Sequence, residues 1–438
     1  MEKSKLTSRR EFLKYAGIAV SATAASACRA ATPNPTVAPT EAPTKPTEVT
    51  PTPAPTAAPA AKYNEAPMLA ELVKAGKLPP VEERLPKEPL VVPVVEEIGQ
   101  YGGTWHRCAV GPGDAGIINS RLSYECLVRW TPDGKGVIPN VAKGYEISED
   151  ATEFTFYLRE GMRWSDGEPF TADDFLFWYQ DVLLNTDLTP TFPKWLRDPA
   201  NDQPCTLEKV DNYTIKFKFQ SSYGLFIQML AGPSALGLTD YPAHYLKQFH
   251  PNYVDKDELQ EKTKQAGFDN WWELFGNKHS WQNPEHPHIW PWLPMRVPPD
   301  VPIVCERNPY YWKVDTQGQQ LPYFERVVVD LSDNAEVVMM KTIAGEVDMQ
   351  YRHMGFANFS LLKENEEKGG YKVYEWIGGP FPCVYVNQSY GDLPLRELLQ
   401  TKEFRHALSY GINREEMNDL FWHGIGEPGN PVASPRDP

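Results

Sequence analysis

A tract of proline, threonine and alanine near the N-terminus is the feature that most restricts how this chain can fold. Nine prolines fall between Pro33 and Pro59, separated almost wholly by threonine and alanine. Such a stretch has too few apolar side chains to build a core, and it favours an extended spacer of about 3 Å per residue. We therefore predict a linker over residues 29–62, so that any compact unit must be built from the residues after it.

The first 28 residues have the pattern of an export signal rather than of a folded domain. Residues Ser8–Lys14 have the sequence SRREFLK, which resembles the twin-arginine export motif with its paired Arg9 and Arg10. A short, weakly apolar stretch follows and ends at Cys28, in a sequence that resembles a lipobox. The alternative, a basic N-terminus of a cytoplasmic protein, would require several independent coincidences. We predict a twin-arginine lipoprotein signal over residues 1–28, acylated at Cys28.

The charge balance excludes several functions. Lys and Arg number 43 against 58 Asp and Glu, a formal net charge of −15, whereas a nucleic-acid binder needs a basic face. The hydrophobic fraction of 41% argues against global disorder, and the lack of long apolar runs beyond the N-terminus argues against a polytopic membrane protein. Because anionic lipid repels an acidic protein, a covalent lipid is expected to hold it to the outer face of the cytoplasmic membrane.

The cysteines beyond Cys28 leave two alternatives open. They are widely spaced and form no C-x-x-C pair, so neither a zinc ribbon nor a thioredoxin-type redox site is indicated. Their odd number allows at most two internal disulfides, and buried free thiols throughout are an equal alternative. These residues are Cys108, Cys126, Cys205, Cys305 and Cys383.

Hydrophobic periodicity after about Leu90 predicts a mixed α/β fold. Residues 213–220 and 153–159 alternate apolar and polar side chains, as half-buried strands do. Asp-Gly pairs at 133–134 and 166–167 predict turns. Thr171 begins a variant of the capping box and predicts a helix through residue 183. Strands and helices interleave irregularly, which favours mixed lobes over a barrel of eight βα units.

Several short motifs together resemble the family 5 bacterial extracellular solute-binding proteins. Members of that family are the peptide, nickel and cello-oligosaccharide receptors of ABC importers. The resemblance covers about residues 95–438, and Asn413 stands where the family usually has Asp. The motifs, in chain order, are YGGT at 101–104, PNVAKGYE at 139–146, FTFYLR at 154–159, WSDGEPFTADD at 164–174, RNPYYW at 307–312, GEVD at 345–348 and FRHAL…GINR at 404–414.

The resemblance implies an α/β fold of the type II periplasmic-binding-protein kind, with mixed sheets and two lobes joined by crossing strands. Lobe I is expected over residues 95–380, with an extra subdomain over about 125–240 and a tryptophan-rich insertion over about 244–302. A strand over 379–387 is expected to cross into lobe II. Residues 381–438 would be only the start of lobe II, so the chain is expected to be C-terminally truncated.

The resemblance also implies a non-enzymatic function. The protein is expected to capture an oligopeptide-like solute between its lobes by hinge closure and to deliver it to ABC permease subunits, as a monomer without a cofactor. The expected ligand-binding residues are Gly113 and Asp114 on a rim loop, Gln350, Tyr351 and Arg352 after the G-E-V-D turn, and Tyr385 and Asn387 on the crossing strand. Asn387 has a structural alternative, the capping of a turn.

The tryptophan-rich insertion allows a second substrate class. Aromatic faces bind sugar rings at a low entropy cost, so a platform of tryptophans would indicate a cello-oligosaccharide or other sugar receptor. The structural alternative, which we favour, is a loop held against the lobe by its own side chains. The residues concerned are Trp271, Trp272, Trp281, Trp290 and Trp292.

Two further patterns give weak signals. His279, His286, His288 and Glu285 could form a metal site of an exported metalloenzyme, but they lack helical spacing, and we predict no metal site. Residues 111–116 match G-x-G-x-x-G, with Asp133 about twenty residues later. Pro112 removes an amide from the phosphate cradle and Asp133 lies in a turn, so we interpret this segment as a ligand-facing loop instead.

Overall fold

The computed structural model describes residues 62–114, 116, 120–376 and 384–427. The predicted export motif with Arg9 and Arg10, the predicted acylation site Cys28 and nearly all of the predicted linker lie outside these residues.

Among the described residues, helices and strands interleave up to residue 332, and only helices follow. The helices are α1 Pro67–Lys74, α2 Val81–Arg84, α3 Gly111–Asp114, α4 Ala172–Phe177, α5 Phe226–Leu230, α6 Ala243–Leu246, α7 Lys256–Gln265, α8 Trp271–His279, α9 Ala335–Ile343, α10 Phe359–Glu364, α11 Glu366–Gly369, α12 Leu393–Gln400, α13 Lys402–Tyr410 and α14 Arg414–Trp422. The strands are β1 Leu90–Val92, β2 Thr104–Val110, β3 Val128–Trp130, β4 Val137–Pro139, β5 Ala142–Ile147, β6 Glu153–Leu158, β7 Thr206–Asp211, β8 Thr214–Lys218, β9 Trp292–Arg296, β10 Ile303–Arg307, β11 Lys313–Asp315 and β12 Arg326–Ser332.

The first four-stranded sheet has the order β2-β12-β10-β9. Strand β2 pairs with β12 in parallel, from Thr104 opposite Arg326 to Val110 opposite Ser332, and the other two pairings are antiparallel. One face of this sheet packs a small apolar core that includes Ala109, Ile303 and Val327. Strand β2 therefore lies at an edge of the sheet, and its carboxyl end leads directly into α3.

The second four-stranded sheet has the order β5-β6-β8-β7 and is antiparallel throughout. Phe154 and Phe156 alternate with half-buried residues along β6 and lie opposite Phe217 and Ile215 of β8. This confirms the strands predicted from alternation, because one face of the sheet must be buried in the main hydrophobic core. The sheet lies wholly within the predicted 125–240 subdomain range.

The predicted helix at Thr171 is present, with a local difference at its end. The Thr171 side chain and the Asp174 side chain satisfy each other's backbone N–H groups, which is a full capping box. Helix α4 then continues as a π-helix over Trp178–Leu183. The wider turn still buries Trp178, Val182 and Leu183, so the apolar face predicted for this segment is preserved.

Residues 63–89, for which the sequence predicted no role, pack against later parts of the chain, and the strand that follows them pairs with β11. Strand β1 pairs in parallel with β11, with Val91 opposite Val314. The fully buried Arg84 donates a hydrogen bond to Oε1 of Gln320 at 2.8 Å and forms an ion pair with Glu65. The folded unit therefore begins close to the end of the proline-rich tract.

A buried ion pair links the loop before β3 to strand β11. Nζ of Lys313 lies 2.7 Å from Oε2 of Glu125, and both residues are 3% exposed. The Tyr311 hydroxyl donates to Oε1 of Glu125 at 2.6 Å, and the Asn140 amide donates to Oε2 at 3.0 Å. Burial lowers the pKa of Lys313 to about 8, although the Glu125 carboxylate opposes the shift. The site is well satisfied by hydrogen bonds, as a buried charge pair must be.

The last three helices differ from the rest of the fold. Helices α12, α13 and α14 bury no side chain, although their apolar residues cluster on one face. Leu393, Leu398, Tyr410, Leu420 and Phe421 are exposed. Separately, no helix in the described segments combines the length and the apolar character needed to cross a membrane.

The described cysteines follow the free-thiol alternative. Cys108, Cys126, Cys205 and Cys305 are buried and unpaired, and Cys383 lies outside the described residues. Burial raises the pKa of Cys126, Cys205 and Cys305 to about 12, so these thiols remain protonated.

Candidate functional site

The candidate site begins at the carboxyl end of β2. Gly111, with a φ of +68°, turns the chain from the strand into the single turn of α3. Oδ2 of Asp114 accepts a hydrogen bond from the Val110 backbone N–H at 3.0 Å, which ties the turn back to the strand. Gly113 is exposed, and a Cβ placed on it would meet no heavy atom within 4 Å. The loop therefore has open space in front of it.

Asp114 is the centre of a charged group at this loop. Its carboxylate forms an ion pair with Nε of Arg352 and lies 2.6 Å from Nε2 of His353. Burial alone would raise the pKa of Asp114, but the hydrogen bonds from Val110, His353 and Arg352 outweigh it and hold the pKa below its usual range. His353 has a φ of +64°, so its backbone adopts the left-handed conformation where its ring contacts Asp114.

The segment before Arg352 covers the free edge of β2. Oδ2 of Asp348 accepts from the His106 backbone N–H at 2.6 Å. The Gln350 amide accepts from the Cys108 N–H at 3.2 Å and donates to the Cys108 carbonyl at 3.1 Å. The side chains of Asp348 and Gln350 thus hydrogen-bond the backbone of two alternate residues of β2. These bonds protect an otherwise exposed strand edge. Gln350 also donates to the Arg352 carbonyl at 2.8 Å, so contacts within the chain use its amide group.

Arginines surround Tyr351 beside this loop. Nε of Arg121 donates to the Tyr351 hydroxyl at 3.0 Å, and Arg107 lies over the Trp105 ring at 5.2 Å. Burial lowers the pKa of Arg107, the Tyr351 hydroxyl opposes that shift, and the nearby positive charge of Arg121 adds to it. Neither Arg107 nor Arg121 forms an ion pair with a carboxylate among the described residues. We call Arg107, Arg121, Arg352, His353 and Asp114 the cationic rim.

Two residues of the predicted crossing strand, Tyr385 and Asn387, lie among the described residues. Tyr385 is 90% exposed, and Oδ1 of Asn387 accepts from the Ser389 N–H at 3.0 Å, so Asn387 caps a turn as its structural alternative predicted. Residues 384–387 are not in a strand, and residues 379–383 of the predicted crossing lie outside the described part of the chain. The structure thus places Asp114, Gln350, Tyr351 and Arg352 together.

The sequence missed three members of the cationic rim. Arg107 and Arg121 lie in no motif. Their place beside residues around 350 follows only from long-range contacts, because Asp348 and Gln350 hydrogen-bond the free edge of β2 and Arg121 donates to Tyr351. His353 was adjacent to a predicted residue, but its left-handed backbone has no sequence signal in a histidine.

The tryptophans of the insertion serve mainly as packing residues. Trp290 is buried, and Trp271 and Trp281 pack against the main core. Trp292 packs against the core of the first sheet, and its indole N–H donates to the Phe324 carbonyl at 3.1 Å. Trp272 is exposed at the surface of α8. These positions support the interpretation of a loop held by its own side chains rather than an aromatic platform.

The three histidines of the insertion come together, but Glu285 does not join them. Glu285 is exposed and pairs with Lys278 at 3.0 Å. The rings of His279 and His286 lie 5.2 Å apart between centroids, and those of His286 and His288 lie 4.3 Å apart. An acid far away in sequence, Asp240, takes the place expected for Glu285, with Oδ1 at 2.8 Å from Nδ1 of His288.

Known proteins with similar sequences and structures are solute-binding proteins. A periplasmic alpha-galactoside-binding protein of Rhizobium meliloti (strain 1021) is 30% identical over 91% of this chain and 60% of its own length. A solved oligopeptide-binding protein OppA matches with a TM-score of 0.71 and 42% identity, over 84% of this chain and 58% of that chain. A periplasmic binding protein from Agrobacterium fabrum C58, solved with stachyose, matches with a TM-score of 0.62 and 29% identity, over 84% of this chain and 56% of that one.

The chain spans three-fifths or less of the length of these relatives. The family model for the middle part of family 5 bacterial extracellular solute-binding proteins matches residues 136–438, more than half of the chain. Together with the mixed α/β architecture and the order of the motifs, this match identifies the family. The chain belongs to the bacterial extracellular solute-binding proteins, family 5.

Proposed function

We propose that this protein is the substrate-binding subunit of an ABC importer that captures an oligopeptide-like solute and releases it unchanged to permease subunits. It makes and breaks no bonds in the solute. We propose further that it works as a monomer outside the cytoplasm, held to the membrane by a lipid on Cys28 and raised from it by the proline-rich linker. The observation that carries the substrate class is the cationic rim.

The rim is positive in a protein whose net charge is −15. Arg352 forms an ion pair with the Asp114 carboxylate. Arg107 and Arg121 form no ion pair with a carboxylate in the described part of the chain, so their positive charges are not balanced there. An anionic group placed near Arg121 would gain about 4 kcal/mol of attraction at 4 Å for an effective dielectric constant of about 20. The C-terminal carboxylate of a peptide has this charge, whereas a neutral oligosaccharide does not.

The expected domain division remains part of the proposal. Lobe I over 95–380 would contain both four-stranded sheets, and lobe II would begin at 381. The uncovered apolar faces of α12, α13 and α14 support this division, because faces of this kind normally pack against other structure. Solute would then be enclosed between the lobes, with Gly113, Asp114, Tyr351 and Arg352 contacting it from lobe I and Tyr385 from the crossing segment.

A sugar receptor is the second candidate. Two of the relatives are, by name or by bound ligand, binders of galactosides or stachyose. Beside the rim, the Tyr351 and Trp376 rings lie 5.7 Å apart, and Trp376 is 63% exposed. Tyr374 is exposed as well. Exposed aromatic faces of this kind suit the apolar faces of sugar rings.

Titration calorimetry separates the two candidates. The full-length protein is titrated with a tripeptide pool, with cello-oligosaccharides and with stachyose. Heat from peptides alone supports the proposal, and heat from sugars alone would replace it with the second candidate. Mass spectrometry of the recovered peptide should show intact ligand, because cleavage products would contradict a purely binding function.

Rim variants test the charge argument directly. Arg121→Gln removes one positive charge but keeps a polar side chain of similar length, so peptide affinity should fall by about tenfold or more. Arg326→Gln is the matched control, since Arg326 is an exposed arginine at the opposite end of the same sheet. Equal effects of the two substitutions would show that the rim does not contact the ligand.

A further inference from the structure

A cluster of buried imidazoles lies outside the cationic rim and has no part in the proposed solute site. His286 and His288 are 3% and 1% exposed, and Asp240 is 7% exposed. One donor atom from each of these three residues lies within 4.8 Å of the others. Asp240 follows the 3₁₀ turn Pro233–Thr239, whereas the histidines belong to the tryptophan-rich insertion after α8. The cluster therefore joins two separate parts of the chain.

The imidazole nitrogens of this cluster lack hydrogen-bond partners. Both ring nitrogens of His286, Nε2 of His288 and Nε2 of His279 are buried and unpartnered among the described residues. A neutral imidazole carries one N–H donor and one lone pair, and native interiors rarely leave such groups unsatisfied. Several unsatisfied nitrogens in one place indicate a missing common partner that accepts lone pairs.

Asp240 lies beside His288 in this cluster. Oδ1 of Asp240 lies 2.8 Å from Nδ1 of His288, so the two atoms face the same space. The His288 ring is held in place by stacking on Trp290, at 3.7 Å between centroids. A metal ion in that space would have both atoms as ligands.

We propose that Asp240, His286 and His288 hold a structural zinc ion, with His279 as a fourth donor. Imidazole nitrogen and carboxylate oxygen are zinc ligands, and structural zinc sites are closed and four-coordinate. The ring of His279 lies 5.2 Å from that of His286, and its buried Nε2 is unpartnered. Tetrahedral zinc donors lie ~3.3 Å apart. The donor atoms of Asp240, His286 and His288 lie within 4.8 Å of one another, so shifts of about 1 Å bring these three to that spacing.

The role that follows is mechanical. The ion would fasten the loop around His286 and His288 to the segment around Asp240, in the way that a disulfide would. Because Asp240, His286 and His288 are buried, the ion would enter during folding and would exchange slowly afterwards. It would not act in catalysis, since a closed site leaves no open coordination position for a substrate.

Metal analysis of the natural, untagged protein tests the proposal. After dialysis against EDTA, we expect about one zinc ion per chain, released only when guanidinium unfolds the protein. His286→Gln and His288→Gln should each abolish this zinc. His250→Gln is the matched control, because His250 is also buried but hydrogen-bonds the Asp181 carbonyl at 3.0 Å, so it should retain full zinc.

Two measurements keep the test decisive if the variants fold poorly. Zinc X-ray absorption of the unmodified protein should show imidazole scattering and oxygen with no sulfur, and a sulfur shell would overturn the assignment. Refolding with and without Zn²⁺ should give a higher Tm with zinc. Protein that contains less than about a tenth of an ion per chain and whose Tm ignores added Zn²⁺ would overturn the proposal. Zinc retained by both the His286 and His288 variants would do the same.

Discussion

The buried pair of Glu125 and Lys313 gives the sharpest prediction about stability. Glu125→Gln keeps the shape of the side chain and the acceptor for Tyr311, but it leaves the Lys313 ammonium without a counter-charge in the interior. Removing one partner of a buried ion pair typically costs about 3–5 kcal/mol. The cost has a ceiling, because Lys313 can instead lose its proton. Since the pKa of Lys313 in the folded protein is about 8, this deprotonation costs about 1.4 kcal/mol at pH 7, which limits the loss from Glu125→Gln to about that value.

The pH dependence of that cost has a definite sign. In the native protein the pKa of Lys313 is about 8, below its ordinary value of 10.5, so the unfolded chain binds more protons and stability rises with pH between these values. In Glu125→Gln the folded-state pKa falls further, and stability begins to rise at a lower pH. The difference in the free energy of unfolding between variant and native protein should therefore become smaller as pH approaches about 8 and stay constant above it.

Denaturant unfolding of both proteins between neutral and alkaline pH measures this difference in the free energy of unfolding. The double variant Glu125→Gln/Lys313→Met removes both charges and should be more stable than Glu125→Gln alone. Glu71→Gln is the control, since it breaks the exposed pair with Lys74 and should leave stability unchanged. A cost below about 1 kcal/mol for Glu125→Gln, or a double variant less stable than the single one, would refute the reasoning.

Three further predictions concern single positions, each measured by denaturant unfolding. Asp114→Asn should lower the free energy of unfolding by about 1–2 kcal/mol at pH 7, because charged hydrogen bonds are lost. Since the folded-state pKa of Asp114 is lowered, the native protein should lose this extra stability as pH falls below 3.8. A stability difference that does not change with pH would contradict the assignment. Gly345→Ala should cost about 1–3 kcal/mol, since its φ is +76° and a Cβ would lie 2.6 Å from the Gly369 carbonyl oxygen. Gly276→Ala, in the open within α8, should instead be neutral or stabilising, and similar losses at both glycines would reject the argument. Thr171→Ala should cost about 1 kcal/mol by removing the capping box, and no loss would show that tertiary packing alone holds α4.

Local patterns predicted the local elements of this fold. The alternation of Phe154 and Phe156 specified a strand, because a half-buried strand needs a period of two. The capping box at Thr171 specified where α4 begins, because its hydrogen bonds involve only neighbouring residues. The free state of the described cysteines remained open, since pairing depends on distances that the sequence does not contain.

Contacts between distant residues were beyond sequence reasoning. Arg84 is buried because Gln320 and Glu65 accept its hydrogen bonds, and no pattern near residue 84 indicates those partners. Gln350 was expected to contact ligand, yet its amide hydrogen-bonds Cys108 across 242 positions of sequence. The same limit explains why Glu285 rather than Asp240 was associated with the histidines.

The candidate site was predicted in part for the same physical reason. Asp114 and Arg352 each lie next to a recognisable turn, so their motifs indicated them separately. That they meet, and that Arg121 joins them through Tyr351, depends on the segment that covers the free edge of β2. The sign of the rim's charge, on which the proposed substrate class depends, follows only from this assembly.

One comparison tests the central claim most directly: the affinity of the full-length protein for a tripeptide against its affinity for the same tripeptide amidated at the C-terminus. If the arginines of the rim receive the carboxylate, calorimetry should give a Kd at least about tenfold lower for the free acid, and the difference should shrink in high salt. Equal affinities for the acid and the amide would contradict the account.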